Sequence, residues 1–322
     1  MLSPDSDIAS FSSSFPSAAN SFPAASSGLS LSPDASSVFT LSPSDSLQAA
    51  FDSAAPGSVI RLLPGVYREK AVIRTPGLTV CGSGADCTEI VWDDYALKKD
   101  SFGRDYNTFR TWTLAVCADD ISLRDLSIIN DALYPEEKGQ EVALSVYGDN
   151  FTMTGCTLSS TQDTLFLGPL PPDLIERYDG FLPDELRRPG ELKQHFENCL
   201  IEGSVDFIFG CGSALFENCE IRSVYDIRGC GYAAAPAHSL SQTSGFLFRG
   251  CSFTREEGVT DGSIFLARPW RDSGLAVFEN CIYGPHISPL GFDKWNDTSR
   301  DKTARFRETP PVTGRVLWCN IR

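Results

Sequence analysis

The chain has 322 residues, 42% of them hydrophobic, and a net charge of −15. That length supports a sizeable core in one large domain or two. No apolar run approaches the roughly 18 residues of a membrane span, and the acidity argues against nucleic acid and anionic membrane surfaces as partners.

Residues 1–43 are rich in Ser, Ala and Pro, and the first basic residue is Arg61. They read as a disordered arm, with neither the basic n-region nor the apolar stretch of a secretory signal. A cytoplasmic location is expected on that ground, with secretion kept open. Residues 44–322 form the expected single domain. Ser44, Asp45 and Ser46 offer N-caps to a short helix carrying Leu47, Phe51 and Ala54 on one face. Short β-type runs follow at 58–62, 71–73, 78–80, 89–92, 113–116, 121–129, 142–146 and 151–158, punctuated by Gly, Asn and Asp.

Eleven cysteines are present, and five stand in one repeated setting: Gly155-Cys156, Asn198-Cys199, Asn218-Cys219, Gly250-Cys251 and Asn280-Cys281. Equivalent repeat positions suit buried thiols stacked in a core better than a disulfide framework, and they favour a reducing compartment. Cys81 and Cys87 stay open as a local pair. The last four repeat cysteines follow one another at 20, 32 and 30 residues. A minimum period near 20 with variable insertions predicts coils of equal size stacked as a parallel β-helix. An antiparallel sandwich is the alternative, and the repeated phrase is harder to explain there. Between two coils, residues 168–193 carry five prolines and read as a long inserted loop beside a binding cleft.

Two carboxylates lie in apolar runs: Asp163 before Leu165-Phe166-Leu167, and Asp206 within Val205 to Gly210. Burying an ionised Asp is costly unless it is paired, so such residues are rarely there for packing. If the two meet in space they form an acid/base or acid/nucleophile pair. The three histidines, His195, His238 and His286, lack metal-ligand spacing, which disfavours zinc and Ser-His-Asp hydrolases.

Five blocks then appear in order: Gly65 to Glu69, Gln140 to Leu144, Gln162 to Leu165, Gly203 to Gly210, and Leu266-Ala267-Arg268-Pro269-Trp270. Together they resemble the signature blocks of pectin methylesterases (pectinesterases), over about residues 45 to 315. The resemblance implies an all-β, right-handed parallel β-helix and hydrolysis of the methyl esters on galacturonate residues of pectin. It implies Asp206 as nucleophile, Asp163 as general acid/base, Gln162 and Gln140 as oxyanion-stabilising amides, and Arg268 as the cation orienting the nucleophile. Trp270, Thr108 and Phe207 are the implied substrate contacts. No cofactor and no metal are implied. The implied partner is methylated galacturonan, polymer or oligomer, acted on by a monomer. Glu69 and Tyr67 read as structural, capping the helix or bracing a coil.

The sequence departs from the family pattern at Ala267 (usually Gly), Glu141 (usually small), Cys211 (commonly Asn) and Phe292 (usually Trp). A carbohydrate-binding β-helix without turnover is the competing class. A pectate lyase is a third reading, disfavoured because Asp163 and Asp206 sit in apolar runs rather than in a Ca²⁺ cluster. The net charge of −15 also opposes an anionic product.

Overall fold

The computed structural model describes residues 37–132, 139–296 and 298–311. Most of the expected arm, residues 1–36, lies outside them. Among the described residues three sheets run the length of the molecule. One has ten strands from Val38–Leu41 to Arg305–Thr309, one has seven from Ala71–Ile73 to Ile264–Ala267, and one has eight from Gly65–Tyr67 to Ile282–Tyr283. All strand-to-strand pairings in them are parallel. From Val59–Leu62 onward successive strands pass from sheet to sheet, so a complete coil contributes one strand to each face. This is a parallel β-helix.

The repeated Gly/Asn-Cys phrase marks the same corner in five successive coils. Asn198, Asn218 and Asn280 have φ of 53–54°, and Gly155 and Gly250 have φ of 64° and 62°. A left-handed residue is what turns the chain from the ten-stranded to the eight-stranded sheet. Gly takes that conformation freely, and Asn is among the few other residues that tolerate it. The following cysteine points inward. Cys156, Cys199, Cys219 and Cys251 are buried and Cys281 nearly so, and all five thiols are free. Cys199, Cys219, Cys251 and Cys281 each donate a long S–H bond to a carbonyl of the preceding coil, at Met153, Phe196, Phe216 and Phe248. Cys81 and Cys87 are also free thiols.

Inside, registered positions repeat the same side chain. Phe196, Phe216, Phe248 and Phe278 pair in register along the ten-stranded sheet. Their rings stack at 4.9, 4.6 and 4.8 Å with interplanar angles of 16° or less. That spacing is the strand separation itself, so the backbone sets the ring stack.

The helix Leu47–Ser53 closes one end, with Leu47, Ala50 and Phe51 buried. Ser46 accepts from the Ala49 amide, while the Glu69 carboxylate accepts from the Leu47 and Gln48 amides. Glu69 therefore caps the helix from a neighbouring coil, satisfying donors that the helix cannot. Tyr67 Oη donates to the carbonyls of Leu41 and Leu63, bracing the first coil.

The structure corrects three expectations. Val38–Leu41 is a strand paired in register with Val59–Leu62, so the ordered fold starts before residue 44. The runs expected at 121–129 and 151–158 are each two strands, broken at Asp125 (φ 53°) and Gly155. The insert is not featureless: it carries the helix Pro172–Arg177 and a 3-10 turn at Asp184–Arg187. Its Leu170, Leu174, Leu182 and Leu186 pack with Phe109, Phe166 and Phe209 on the outer side of the seven-stranded sheet. That sheet is thus buried on both faces, which is why Val205 to Gly210 reads as a continuous apolar run.

Phe216→Ala is expected to cost about 3–5 kcal/mol of stability, since it empties a fully buried stacked position. Ile282→Ala, at a side chain 70% exposed, should stay within about 0.5 kcal/mol. Equal losses in denaturant titrations of the two variants would contradict the ladder as a source of stability.

Candidate active site

The seven-stranded sheet brings the two apolar-run carboxylates together. Gln162 bridges to Val205, and Leu165 pairs with Ile208, so Asp163 and Asp206 occupy the same register position in adjacent coils. Both are left-handed, with φ of 64° and 51°. Against the next strand, Val205 faces Tyr232 while Ile208 faces Ala234, so one extra residue bulges out at Asp206. A bulge re-aims side chains. Here it presents the aspartates to an outer cleft and turns the next residue of each coil, Thr164 and Phe207, inward. Left-handed backbone at a non-glycine residue costs about 1–3 kcal/mol and clusters at functional sites.

This corrects one expected substrate contact. Phe207 is fully buried in the central core and does not line the cleft. A Cβ on Gly203 would lie 2.3 Å from that of Phe207, so a glycine there is what admits the inward ring. Phe209, two residues on, faces the cleft instead.

The cleft has a volume of about 530 Å³, and its walls include Gln140, Gln162, Asp163, Asp206, Arg268, Trp270 and Thr108. All the expected site residues except Phe207 therefore meet in one place. Thr108 opens a 3-10 turn, Thr108–Arg110, on one rim.

Arg268 follows the strand Ile264–Ala267, its amide donating to the Ala234 carbonyl. Its guanidinium forks onto Asp206, Nε to Oδ1 at 2.8 Å and Nη2 to Oδ2 at 2.7 Å. Tyr232 and Trp295 sandwich it, with ring centroids 3.7 and 4.1 Å from the guanidinium carbon. The planar cation is thus fixed on both faces and at its edge, the arrangement in which Arg cannot be replaced by Lys without loss. The sequence reading did not single out Tyr232 or Trp295. Their signal is an aromatic one coil before and one after the arginine strand, visible only once the register is known.

Charge is divided between the two carboxyls. Burial raises Asp206 above the usual aspartate value, and the Arg268 fork opposes that rise. Burial and the adjacent Asp206 push Asp163 well above its usual value, with Gln162, Arg268 and Arg228 only partly opposing. Asp163 therefore holds its proton to higher pH than Asp206, the ordering expected of like charges sharing a site when one alone has a cation bonded.

Trp270 stands edge-on to Phe209, with centroids 5.7 Å apart, and Arg271 lies 4.7 Å over its ring. Arg271 is anchored by a bidentate bond to Asp173 of the insert, at 3.1 and 2.7 Å. Asp173, Leu174, Arg177 and Tyr178 of the insert line the cleft themselves. Tyr178 accepts from Asn107 Nδ2 at 3.0 Å, tying the insert to the opposite rim.

None of the departures from the family pattern lines the cleft. Ala267 and Phe292 are core residues. Glu141 is buried and accepts from the Thr161 amide. Burial pushes the Cys211 thiol up to about 12.

Comparison with known proteins gives a consistent result. The family model described as Pectinesterase matches residues 31–168 and 189–319. Most of the insert falls in the gap between those segments. A relative numbered pectinesterase 11 in Arabidopsis thaliana is 32% identical over 76% of this chain and 58% of its own length. Pectinesterase 31 of the same plant is 30% identical over 82% of this chain and 77% of its own. The chain thus spans little more than half of the first relative. Among solved structures, the pectin methylesterase PemA from Erwinia chrysanthemi superposes with a TM-score of 0.70 at 27% identity, covering 84% of this chain and 87% of that one. A pectin methylesterase in complex with a hexasaccharide gives 0.69 at 27% identity, over 81% and 82% of the two chains.

The two aspartates should respond oppositely to amidation. A carboxyl whose folded value is raised contributes its full stability below the ordinary aspartate value and loses it as pH climbs toward the folded value. Asp163→Asn removes that loss, so its Tm should exceed the wild type near pH 7, with the gap closing toward about pH 4. Burial raises Asp206 too, but only Asp206 carries a bonded cation, so Asp206→Asn strands the largely buried Arg268 and should cost on the order of 3 kcal/mol near neutrality. Melting curves in which both variants shift the same way would contradict this division of charge.

Proposed function

This chain belongs to the pectinesterase family, and from that premise we propose that it hydrolyses the methyl esters of galacturonate residues in pectin, releasing methanol. One observation carries the reading. An arginine-paired carboxylate and a proton-holding carboxylate stand in the same register of adjacent coils and open on one cleft.

In this reading Asp206, kept ionised by Arg268, attacks the ester carbonyl carbon. Negative charge passes to the carbonyl oxygen, where the neutral amides of Gln162 and Gln140 donate to it without adding a full charge that would also hold the anionic product. The carbon–methoxy bond breaks as Asp163 hands its proton to the departing oxygen, and methanol leaves. The remaining acyl group is an anhydride with Asp206. Asp163, now a carboxylate, takes a proton from water as that water attacks the acyl carbon. The galacturonate acid departs, and both aspartates return to their starting states.

Substrate recognition follows from the walls. Trp270, Phe109 and Tyr178 offer aromatic surface to sugar rings. Arg177 and Arg271 share the single carboxylate of Asp173 and so leave a net positive charge on this wall of the cleft in an otherwise acidic protein, suited to galacturonates that are already free acids. The occupant is accordingly a segment of partly methylated galacturonan, polymer or oligomer. Thr108 on the rim is read as a further contact.

Methanol release from highly methylated pectin tests the proposal. The wild type should release it, and Asp206→Asn should lose about 10³-fold or more. The rate should rise with pH as Asp206 ionises and fall as Asp163 loses its proton. A folded wild type that binds pectin but releases no methanol would make this a binding module instead.

A further inference from the structure

A second arginine, Arg228, hydrogen-bonds one of the amides. The loop between strands Glu220–Ser223 and Gly231–Pro236 carries Asp226 and Arg228. The Asp226 carboxylate, 8% exposed, accepts from Arg228 Nε at 2.7 Å and Nη2 at 2.6 Å. It also accepts from the Arg228 amide at 2.8 Å and from Ser204 Oγ at 2.7 Å. The Ser204 hydroxyl lies 3.0 Å from the Thr161 carbonyl, and the Ser204 amide donates to that same carbonyl. Arg228 Nη1 then donates to Gln162 Oε1 at 2.8 Å. The links close a ring, from Thr161 and Gln162 through Arg228 and Asp226 to Ser204 and back to Thr161.

A guanidinium has donors and no acceptor, so the amide atom facing it must be the oxygen. That fixes which way Gln162 points: Nε2 lies on the side away from Arg228. An amide held this way offers N–H groups to the cleft. An amide turned over would offer its oxygen, which repels a developing oxyanion.

We propose that Arg228, braced by Asp226, is a positioning residue that locks the Gln162 amide with its donors toward the reacting ester. The inference rests on the oxyanion role given to Gln162 above. A bidentate pair in a closed network keeps its geometry where an isolated exposed ion pair would not.

The test is kcat and KM for methanol release from highly methylated pectin by full-length wild type, Arg228→Ala, Arg228→Lys, Asp226→Asn, Gln162→Ala and the Gln162→Ala/Arg228→Ala double variant, each first checked for a cooperative melt. Losing a well-placed oxyanion donor costs about 10²–10³-fold, and misaiming it should cost about 10-fold in kcat with KM little changed. Lysine keeps the charge but not the fork, so Arg228→Lys should remain impaired, as should Asp226→Asn. With Gln162 already truncated, removing Arg228 should change kcat by less than about 2-fold, because coupled residues are not additive.

Equal losses from Arg228→Ala with and without Gln162 would overturn the proposal, as would full rescue by lysine or an effect confined to KM. If Gln162→Ala retains wild-type kcat, the oxyanion role fails and this inference with it. If Gln162→Ala is impaired and Arg228→Ala is not, this inference alone fails.

Discussion

Everything in this molecule depends on parallel coils meeting in register. Each strand hydrogen-bonds the equivalent strand of the next coil, so a side chain's position is fixed by where its residue falls in the coil rather than by its distance along the chain. The corner must turn at the same point each time, and the left-handed residues at Asp125, Gly155, Asn198, Asn218, Gly250 and Asn280 do this. Their amides also continue the hydrogen bonding, each donating to the next coil. The stacked phenylalanines and inward cysteines are consequences of that repetition. Because identical positions lie about 4.8 Å apart, a packing solution that works once works again in the next coil.

The site uses the same rule to different effect. Two aspartates at one register position in adjacent coils are held close by the backbone, and like charges that close cannot both ionise freely. A single cation resolves the conflict by bonding one of them. Arg268 reaches Asp206 from the next coil but one, and its orientation is set by Tyr232 and Trp295 rather than by further charges. The asymmetry between two chemically identical side chains therefore comes from which one the guanidinium touches. It is supported by a local break in the repeat: the extra residue at Asp206 interrupts the ladder where the chain must present a carboxylate outward.

The insert adds something that the rest of the β-helix does not require. It falls where the family model is interrupted, yet four of its side chains line the cleft and its leucines cover the outer side of the seven-stranded sheet. Covering that sheet with apolar side chains and pinning Asp173 to Arg271 gives the cleft a wall built from packing as well as from ion pairs. Such a wall leaves the two carboxylates where the coils put them and changes what can lie beside them.

Much of this was legible in the sequence. The repeat spoke through Gly/Asn-Cys pairs because only a few residues tolerate a left-handed corner. The carboxylates spoke through their apolar surroundings, because an unpaired charge is expensive there. The capping role of Glu69 was one of the two structural readings open to it. What remained hidden depended on register or on contacts distant in sequence. That Phe207 turns inward while Phe209 faces the cleft follows from one bulge, which shifts every later side chain to the other face. Tyr232 and Trp295 become a clamp only when coils separated by dozens of residues are stacked. Arg228 finds Gln162 across 66 positions. The sequence alone determined that coils stack and that two carboxylates lie in apolar surroundings, since both follow from local backbone tolerance and the cost of burying charge. Which side chain faces the cleft, which aspartate meets the arginine and which way an amide points were decided by tertiary structure, because each depends on the phase between coils.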